Sequence, residues 1–279
     1  MKNLLIICTL FVSLWINAQK EFSVMTYNIR LDVASDGENA WNNRKDFFIT
    51  QIQFYVPDIF GVQEALPHQV NYIKNHLKEY HFIGIGRDGG NKGEYSAIFY
   101  NSKRFELLTD NTFWLSGTPE KVSKGWDAAH IRVCTYGLFK DKKTKKKFWM
   151  FNTHLDNEGV NARNNGMKLI LKKISEINKK NYPVILTGDF NDVPESEMII
   201  NLKNTMNDTR EHSKATPFGP YGTFTGFKFH EPVKNRIDYI FVSKSSKTDI
   251  LKYAVLTDSK DMKYPSDHFP VYVQLQLTN

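Results

Sequence analysis

The chain has 279 residues and a formal net charge of +7, and 41% of its residues are hydrophobic and 14% aromatic. This composition excludes a disordered chain and indicates a large buried core, in one α/β domain or two small ones. The moderate positive charge suits a phosphorylated or polyanionic substrate, although charge alone does not specify a site.

The N-terminus is typical of a secretory signal peptide. A short basic start precedes an apolar run from Leu4 to Ile16, and Ala18 is a small residue at a plausible cleavage point. The run is short for a membrane span, which favours cleavage over a retained anchor. We therefore predict a signal peptide over residues 1–19, a single domain over residues 20–279, and export to the periplasm or the medium.

The first half of the chain alternates strands with helices. Residues 21–28 predict a strand with two apolar faces, and helices are expected over residues 44–56, capped by Asn42 or Asn43, and 67–80. Further strands are expected over residues 59–64, 82–85, 95–100, 105–115, 130–140 and 147–154. The lysine-rich segment 141–146, between the last two strands, is predicted to be a solvated hairpin tip rather than a nucleic-acid patch.

The second half continues the same pattern without a linker. A helix is expected over residues 160–180, a buried strand from Pro183 to Asp189, and a short helix over residues 196–204. A long segment rich in glycine, proline and aromatic residues follows, and strands over residues 237–242, 250–256 and 271–277 complete the chain. About three longer helices and ten or more strands predict one domain with two packed sheets between helices.

Polar residues recur where the apolar strands stop, at Asn28, Glu64, His154, Asp189, Asn191, Asp238, Asp267 and His268. Each alone suits an ordinary loop or an Asx turn. Together they suit metal-assisted hydrolysis of a phosphate ester, because Mg²⁺ prefers oxygen ligands and the transition state needs donors at phosphoryl oxygens. A histidine held by a carboxylate can act as a base or an oxyanion stabiliser. A zinc site is disfavoured, since no His/Cys cluster has ligand spacing.

Six short motifs carry a family resemblance: Met25-Thr26-Tyr27-Asn28, Gly61-Val62-Gln63-Glu64, Asn152-Thr153-His154, Gly188-Asp189-Phe190-Asn191, Arg236-Ile237-Asp238-Tyr239 and Ser266-Asp267-His268. In this order, from about residue 22 onward, they resemble the endonuclease/exonuclease/phosphatase superfamily. The resemblance implies a DNase I-like, four-layer α/β sandwich of two packed, mostly antiparallel sheets flanked by helices. It implies a metal-dependent phosphoesterase with its site at one end of the sheets.

The same resemblance implies a role for each site residue. Glu64 would be the main ligand of Mg²⁺, or of Mn²⁺, with help from Asn28, and Asp267 would lie near the metal or its waters. Asp189 would orient or deprotonate the attacking water, and Asn191 would hold a phosphate oxygen. His268, paired with Asp238, would act as base or phosphate stabiliser. His154 would stabilise the phosphoryl group or assist the leaving group. Arg132 would reach a phosphate or form a structural ion pair, and Glu94 would support the site.

Two departures favour particular branches. Ile29-Arg30 follows Asn28 where AP endonuclease-like members carry an acidic residue, and His154 stands where they have a tyrosine. Both features favour the DNase I, sphingomyelinase and Ccr4/nocturnin-like branches over the AP endonuclease branch. Three further segments resemble an exported bacterial subgroup: Gly93-Glu94-Tyr95-Ser96, Phe113-Trp114-Leu115-Ser116 and Gly125-Trp126-Asp127.

The substrate stays open at this point. It is a phosphorylated small molecule, a nucleic acid cleaved by a secreted nuclease, or a lipid head group approached through aromatics such as Tyr221, Phe227 or Phe229. A binding module that lost catalysis is the remaining alternative. We expect a monomer without a stable protein partner.

Overall fold

The computed structural model describes residues 21–244 and 247–278. Within these residues the strands are β1 (Glu21–Asn28), β2 (Ile59–Gln63), β3 (Tyr80–Ile83), β4 (Ile98–Asn101), β5 (Phe105–Trp114), β6 (Val133–Asp141), β7 (Lys147–His154), β8 (Val184–Asp189), β9 (Met206–Asp208), β10 (Asp238–Ser243), β11 (Thr248–Val255) and β12 (Val271–Leu277). The helices are α1 (Trp41–Tyr55), α2 (Pro67–His76), α3 (Val160–Ile177) and α4 (Glu197–Lys203). The predicted signal peptide lies outside the described residues and stays a prediction.

The strands form two six-stranded sheets. The first has the order β11-β12-β1-β2-β4-β3 and the second β5-β6-β7-β8-β10-β9. Only β1–β2 and β7–β8 pair in parallel among the described strands, and the other neighbours are antiparallel. The predicted four-layer α/β sandwich is confirmed.

Three apolar clusters hold the layers together. Phe22 and Val24 face the second sheet, in the cluster between the sheets, whereas Met25 and Tyr27 pack on α1 and α2. The third cluster lies between the second sheet and α3 and α4, and Phe190 is fully buried in it. β1 is therefore apolar on both faces because it is covered on both faces.

Element boundaries are where the sequence predictions are wrong. α1 begins at Trp41 instead of Arg44 and has no side-chain cap, and it ends at Tyr55 because Val56, before Pro57, is left-handed with a φ of 43°. α2 and α3 end four and three residues earlier than predicted. Tyr95 forms only isolated bridges, to Ala65 and Gly86, so β4 begins at Ile98. The 3-10 turn at Ala34–Asn39 and the short strand β9 were not predicted.

A buried polar cluster joins the two sheets directly below the ends of their central strands. The side-chain amide of Asn152 donates to the carbonyl oxygens of Val62 and Ala97 at 2.9 and 3.0 Å. Its oxygen accepts from the Gln63 amide at 2.7 Å and the Thr187 hydroxyl at 3.0 Å. The cluster thus fixes the separation and register of the sheets under the predicted site.

We expect Asn152→Ala to lower the free energy of unfolding by about 3–5 kcal/mol, because it leaves two buried carbonyl groups and the Gln63 amide without this partner. Equilibrium urea denaturation measures this change. Asn201→Ala, on the exposed face of α4, is the matched control and should change stability by less than about 0.5 kcal/mol. A loss below about 1 kcal/mol in Asn152→Ala would show that the cluster does not hold the sheets together.

No helix within the described residues is both long enough and apolar enough to span a bilayer.

Candidate active site

The predicted site residues meet at one rim of the sandwich. The parallel pairs β1–β2 and β7–β8 end at this rim, and they bring Asn28, Glu64, His154 and Asp189 to it. β10 runs the other way and begins at the rim, where Asp238 is the register partner of Asp189. The carboxyl ends of central parallel strands are the usual location of a site in α/β sheets.

The backbone at the rim is strained. Arg30, Glu64 and Asn191 all have positive φ angles, of 57°, 63° and 50°, although none is glycine. Such residues cost about 1–3 kcal/mol each and concentrate at functional sites. Gly188 is required before Asp189, because a Cβ atom there would lie 2.0 Å from the carbonyl oxygen of Thr153.

Asn28 connects the two sheets across the rim. Its side-chain nitrogen donates to Glu64 Oε1 and to Asp189 Oδ2, both at 2.9 Å. Its side-chain oxygen accepts from the backbone N–H of Arg30 at 3.0 Å. The carboxamide therefore holds two carboxylates together here, and its predicted role as an oxygen ligand of the metal stays a prediction.

Asp267 approaches the same place from the loop before β12. Its Oδ2 lies 3.9 Å from Nε of Arg30, and Nη1 of Arg30 lies 4.0 Å from Oε2 of Glu64. Burial raises the pKa of Asp267, and the nearby Glu64 carboxylate raises it further. Arg30, whose closest ion pair is with Asp36 at 2.8 Å, thus lies between the two carboxylates predicted to serve the metal.

His268 is paired with Asp238 as the motifs implied. Its Nδ1 lies 2.8 Å from Asp238 Oδ2, and its Nε2 lies 3.7 Å from Asp189 Oδ2. Burial alone would lower the pKa of His268, but the Asp238 and Asp189 carboxylates outweigh burial and raise that pKa well above its usual range. His268 is therefore a cation at neutral pH.

The environment of His154 favours the neutral form of its ring. The Asn191 side-chain nitrogen lies 2.9 Å from His154 Nε2 and donates to the Leu155 carbonyl at 3.0 Å. Burial lowers the pKa of His154 well below its usual range, and the charges of Arg132 and His268 lower it further. Because Asn191 donates to Nε2, the neutral ring carries its proton on Nδ1.

Asp189 lies between the two histidines and is fully buried. Burial, and then the Asp238 carboxylate, raise the pKa of Asp189 to about 7, against the lowering effect of His268 and of the Asn28 amide. A carboxyl group whose pKa lies near neutrality is suited to take up and release a proton. The rim therefore combines a neutral histidine, a cationic histidine and a carboxylate between them.

A narrow cavity of about 10 Å³, room for about one water, lies beside Glu64 and His154. Arg132 lines this cavity. It also pairs with Asp156 at 3.3 Å, so the structural ion pair predicted as the alternative for Arg132 is present. Glu94 lines it as well, and this carboxylate pairs with Arg87 at 2.8 Å. The substrate-binding role of Arg132 stays a prediction.

Three residues near the site were not singled out from the sequence: Arg30, Arg87 and Asp156. Asp156 accepts from the backbone N–H groups of Ala129, His130, Glu158 and Gly159, as well as from Arg132. The sequence feature that could have identified Asp156 is its position, two residues after His154 and shortly before α3 begins.

Two groups of side chains have a composition that could hold a metal ion. One is Glu64, His154 and Asp189, and the other is Asp189, Asp238 and His268; within each group the ligand atoms lie within 4.8 Å of one another. The cationic state of His268 disfavours the second group. The first offers the carboxylates of Glu64 and Asp189, and carboxylate oxygens are the ligands that a hard divalent cation prefers.

A sequence model of the Endonuclease/Exonuclease/phosphatase family matches residues 25–268. The chain belongs to this family. It is an enzyme that hydrolyses phosphate esters, as members of the family do. The resemblance inferred from the six motifs is confirmed.

Among solved structures, a mannosyl-6-phosphatase from Bacteroides thetaiotaomicron is 39% identical, with a TM-score of 0.86 over 91% of this chain and 99% of that chain. A family protein of the same organism is 38% identical, with a TM-score of 0.86 over 91% of this chain and 97% of that chain. The human nocturnin catalytic domain, 22% identical with a TM-score of 0.73 over 92% and 94% of the two chains, shares the fold.

Curated relatives are more distant. An uncharacterized protein of Acanthamoeba polyphaga mimivirus is 30% identical over 54% of this chain and 59% of that protein. Rat nocturnin is 22% identical over 88% of this chain and 63% of that protein. A probable RNA exonuclease of Saccharomyces cerevisiae is 26% identical over 63% of this chain and 38% of its own length. The chain thus spans less than two thirds of these relatives.

Proposed function

We propose that this enzyme is an exported, Mg²⁺-dependent phosphomonoesterase that removes phosphate from a sugar phosphate. The observation that carries the phosphoesterase site is the buried group in which Asp189 lies between a neutral and a cationic histidine. The sugar-phosphate substrate is supported by 39% identity to a mannosyl-6-phosphatase over nearly the full length of both chains.

In this proposal Asp189 orients the attacking water and takes up its proton. Its Oδ2 faces Asn28 and both histidines, so a water at this carboxylate is directed toward a phosphorus atom held between them. Asp189 rather than His268 is the base, because His268 is already protonated at neutral pH.

The phosphoryl oxygens are held by fixed donors. The His268 imidazolium offers a charged N–H in a desolvated setting, where such a donor stabilises developing charge strongly. The Asn191 amide would hold a phosphate oxygen by releasing one of its two present acceptors, His154 Nε2 or the Leu155 carbonyl. Burial and the charge of Arg132 lower the pKa of His154, so this neutral ring does not protonate the leaving group at neutral pH, and its Nε2 accepts from Asn191 beside Asp189. The departing sugar oxygen would take its proton from water. Glu64, with Asn28 and Asp267, would hold Mg²⁺, which supplies Lewis-acid stabilisation of the phosphoryl charge.

Removal of metal is expected to lower turnover at least about 10³-fold, since the buried carboxylates would then repel an anionic substrate. The assay follows release of inorganic phosphate by the chain from residue 20 onward, with EDTA, with Mg²⁺ and with Mn²⁺. Restoration by Mg²⁺ supports the proposal, and full activity in EDTA would refute metal dependence. Glu64→Gln should raise the Mg²⁺ concentration needed for half-maximal activity.

The substrate class is tested by a panel of sugar 6-phosphates, nucleotides, inositol phosphates, sphingomyelin and single- and double-stranded nucleic acid. Turnover of sugar 6-phosphates at least about tenfold above the other substrates supports the proposal. Faster cleavage of nucleic acid polymers would instead make the chain a nuclease.

Export is tested separately, by N-terminal sequencing of protein from the extracytoplasmic fraction, where a start after Ala18 or Gln19 is expected.

A further inference from the structure

Lysines gather at the end of the second sheet that lies opposite the active site. β7 begins at Lys147 and ends at His154, so about 23 Å of strand separates the two ends. Eight lysines surround the start of β7, and we call them the basic pole: Lys142, Lys143, Lys145, Lys146, Lys147, Lys179, Lys180 and Lys247. Their charge exceeds the +7 of the whole chain, so the remainder is slightly negative.

Two adjoining grooves lie within the basic pole. One, of about 390 Å³, is lined by Lys145, Lys146, Lys147 and Lys247, and the other, of about 240 Å³, by Lys147, Lys179 and Lys180. They share Lys147 and the half-buried Tyr182, and none of the described residues lining either groove is acidic. A surface with this composition attracts anions and repels cations.

Among the described residues, the lysines of the pole contact neutral groups rather than carboxylates. Within residues 21–244 and 247–278, none of the eight takes part in an ion pair with a carboxylate. Those with described side-chain contacts meet neutral groups instead, such as the Leu277 carbonyl for Lys146 and the Tyr182 ring for Lys147. Their charges are therefore available to an external anionic partner.

The N-terminal segment joins the domain at the same pole. The carbonyl of Glu21, the first residue of β1, accepts from Arg104, and Arg104 pairs with Asp141, the residue before Lys142. Only residues 17–20 separate Glu21 from the apolar run that ends at Ile16, and this length of chain reaches at most about 18 Å. Until the predicted cleavage after Ala18 or Gln19, a bilayer that holds the apolar run would therefore lie beside the basic pole.

We propose that the basic pole binds the anionic phospholipid head groups of a membrane surface and turns the active-site rim toward the aqueous phase. The grooves contact phosphates of several lipids, and Tyr182 offers the amphipathic side chain that suits the interface. A lipid surface is favoured over a nucleic acid because a polymer bound here would lie about 23 Å from the reacting atoms, and because β1 begins at this pole, which would bring the pole close to the bilayer during export. This inference does not depend on which phosphate ester the enzyme hydrolyses.

The test is co-sedimentation of the chain from residue 20 onward, which contains every described strand and helix, with phosphatidylcholine vesicles with and without about 30% phosphatidylglycerol. The variant replaces four exposed lysines of the pole, Lys143, Lys145, Lys180 and Lys247, by glutamine. The matched control replaces four exposed lysines outside it: Lys74, Lys168, Lys252 and Lys260.

We expect binding to the anionic vesicles only, weakened at least about tenfold in the pole variant and little changed in the control. Binding should also fall steeply as salt rises toward about 0.5 M. Hydrolysis of a small soluble phosphate ester should be equal in all three proteins, since the pole lies far from the rim.

Three results would overturn the proposal: no binding to anionic vesicles, equal weakening by the pole and control variants, or tight pole-dependent binding to single-stranded DNA or RNA without binding to vesicles. The last would assign the pole to nucleic acid. Loss of hydrolysis with retained vesicle binding would count against the proposed catalytic site alone.

Discussion

Replacing Asp189 with asparagine is expected to lower kcat at least about 10³-fold while leaving the folded protein no less stable at neutral pH. Activity falls because an amide cannot take up the proton of the attacking water. Stability is kept because the carboxylate is fully buried and repelled by Asp238, so its charged form is disfavoured in the folded state. Phosphate release and urea denaturation of the two proteins measure the two effects.

The stability effect has a definite pH dependence in metal-free protein. The folded-state pKa of Asp189 is raised to about 7, above the unfolded-state value of about 4. Such a group destabilises the folded state progressively as the pH rises through this interval, and the penalty is absent below it. The stability of Asp189→Asn relative to the unmodified protein should therefore rise by about 1 kcal/mol or more between pH 5 and pH 8.

Asp110→Asn is the control for this series, because Asp110 is exposed on β5 and far from the rim. It should leave both activity and the pH dependence of stability unchanged. A fully active Asp189→Asn protein would remove Asp189 from the proposed mechanism. An inactive variant whose relative stability falls as the pH rises would contradict the raised pKa.

The second large effect is expected from Asp238→Asn. Loss of this carboxylate removes the main cause of the raised pKa of His268, so the imidazolium gives up its proton at lower pH. We expect kcat/KM to fall about 10²–10⁴-fold near neutral pH, with the alkaline limb of its pH profile moved to lower pH. Steady-state kinetics across the pH range measures both changes.

This prediction separates the two roles left open for His268. If His268 were the base, lowering its pKa would increase the active fraction at neutral pH and move the acid limb instead. The Asp238–His268 pair also stabilises the fold below the unfolded-state pKa of about 6.5, and that stabilisation is lost as the pH rises through the raised pKa. The stability lost in Asp238→Asn should therefore be largest in mildly acidic solution.

Four of the site residues were readable from the sequence because each closely follows a structural residue in the chain. Thr26, Gln63, Asn152 and Thr187 form the buried polar cluster between the sheets, and Asn28, Glu64, His154 and Asp189 follow them by one or two positions. A strand pattern places such pairs reliably, since alternation and the strand end are local properties. Helix ends and β4 were misplaced because they depend on contacts with distant residues, such as the bridges of Tyr95.

The sequence by itself determined the two-sheet architecture, the gathering of polar residues at strand ends and the family. Only the tertiary structure decided the charge states of the two histidines. The motifs place both histidines at the rim without their charges, but burial and Arg132 lower the pKa of His154, whereas Asp238 and Asp189 raise the pKa of His268. The tertiary structure also assembles the basic pole, because its lysines come from three separate segments of the chain. Charge state and surface potential depend on which groups meet in space, and residues distant in sequence supply those groups.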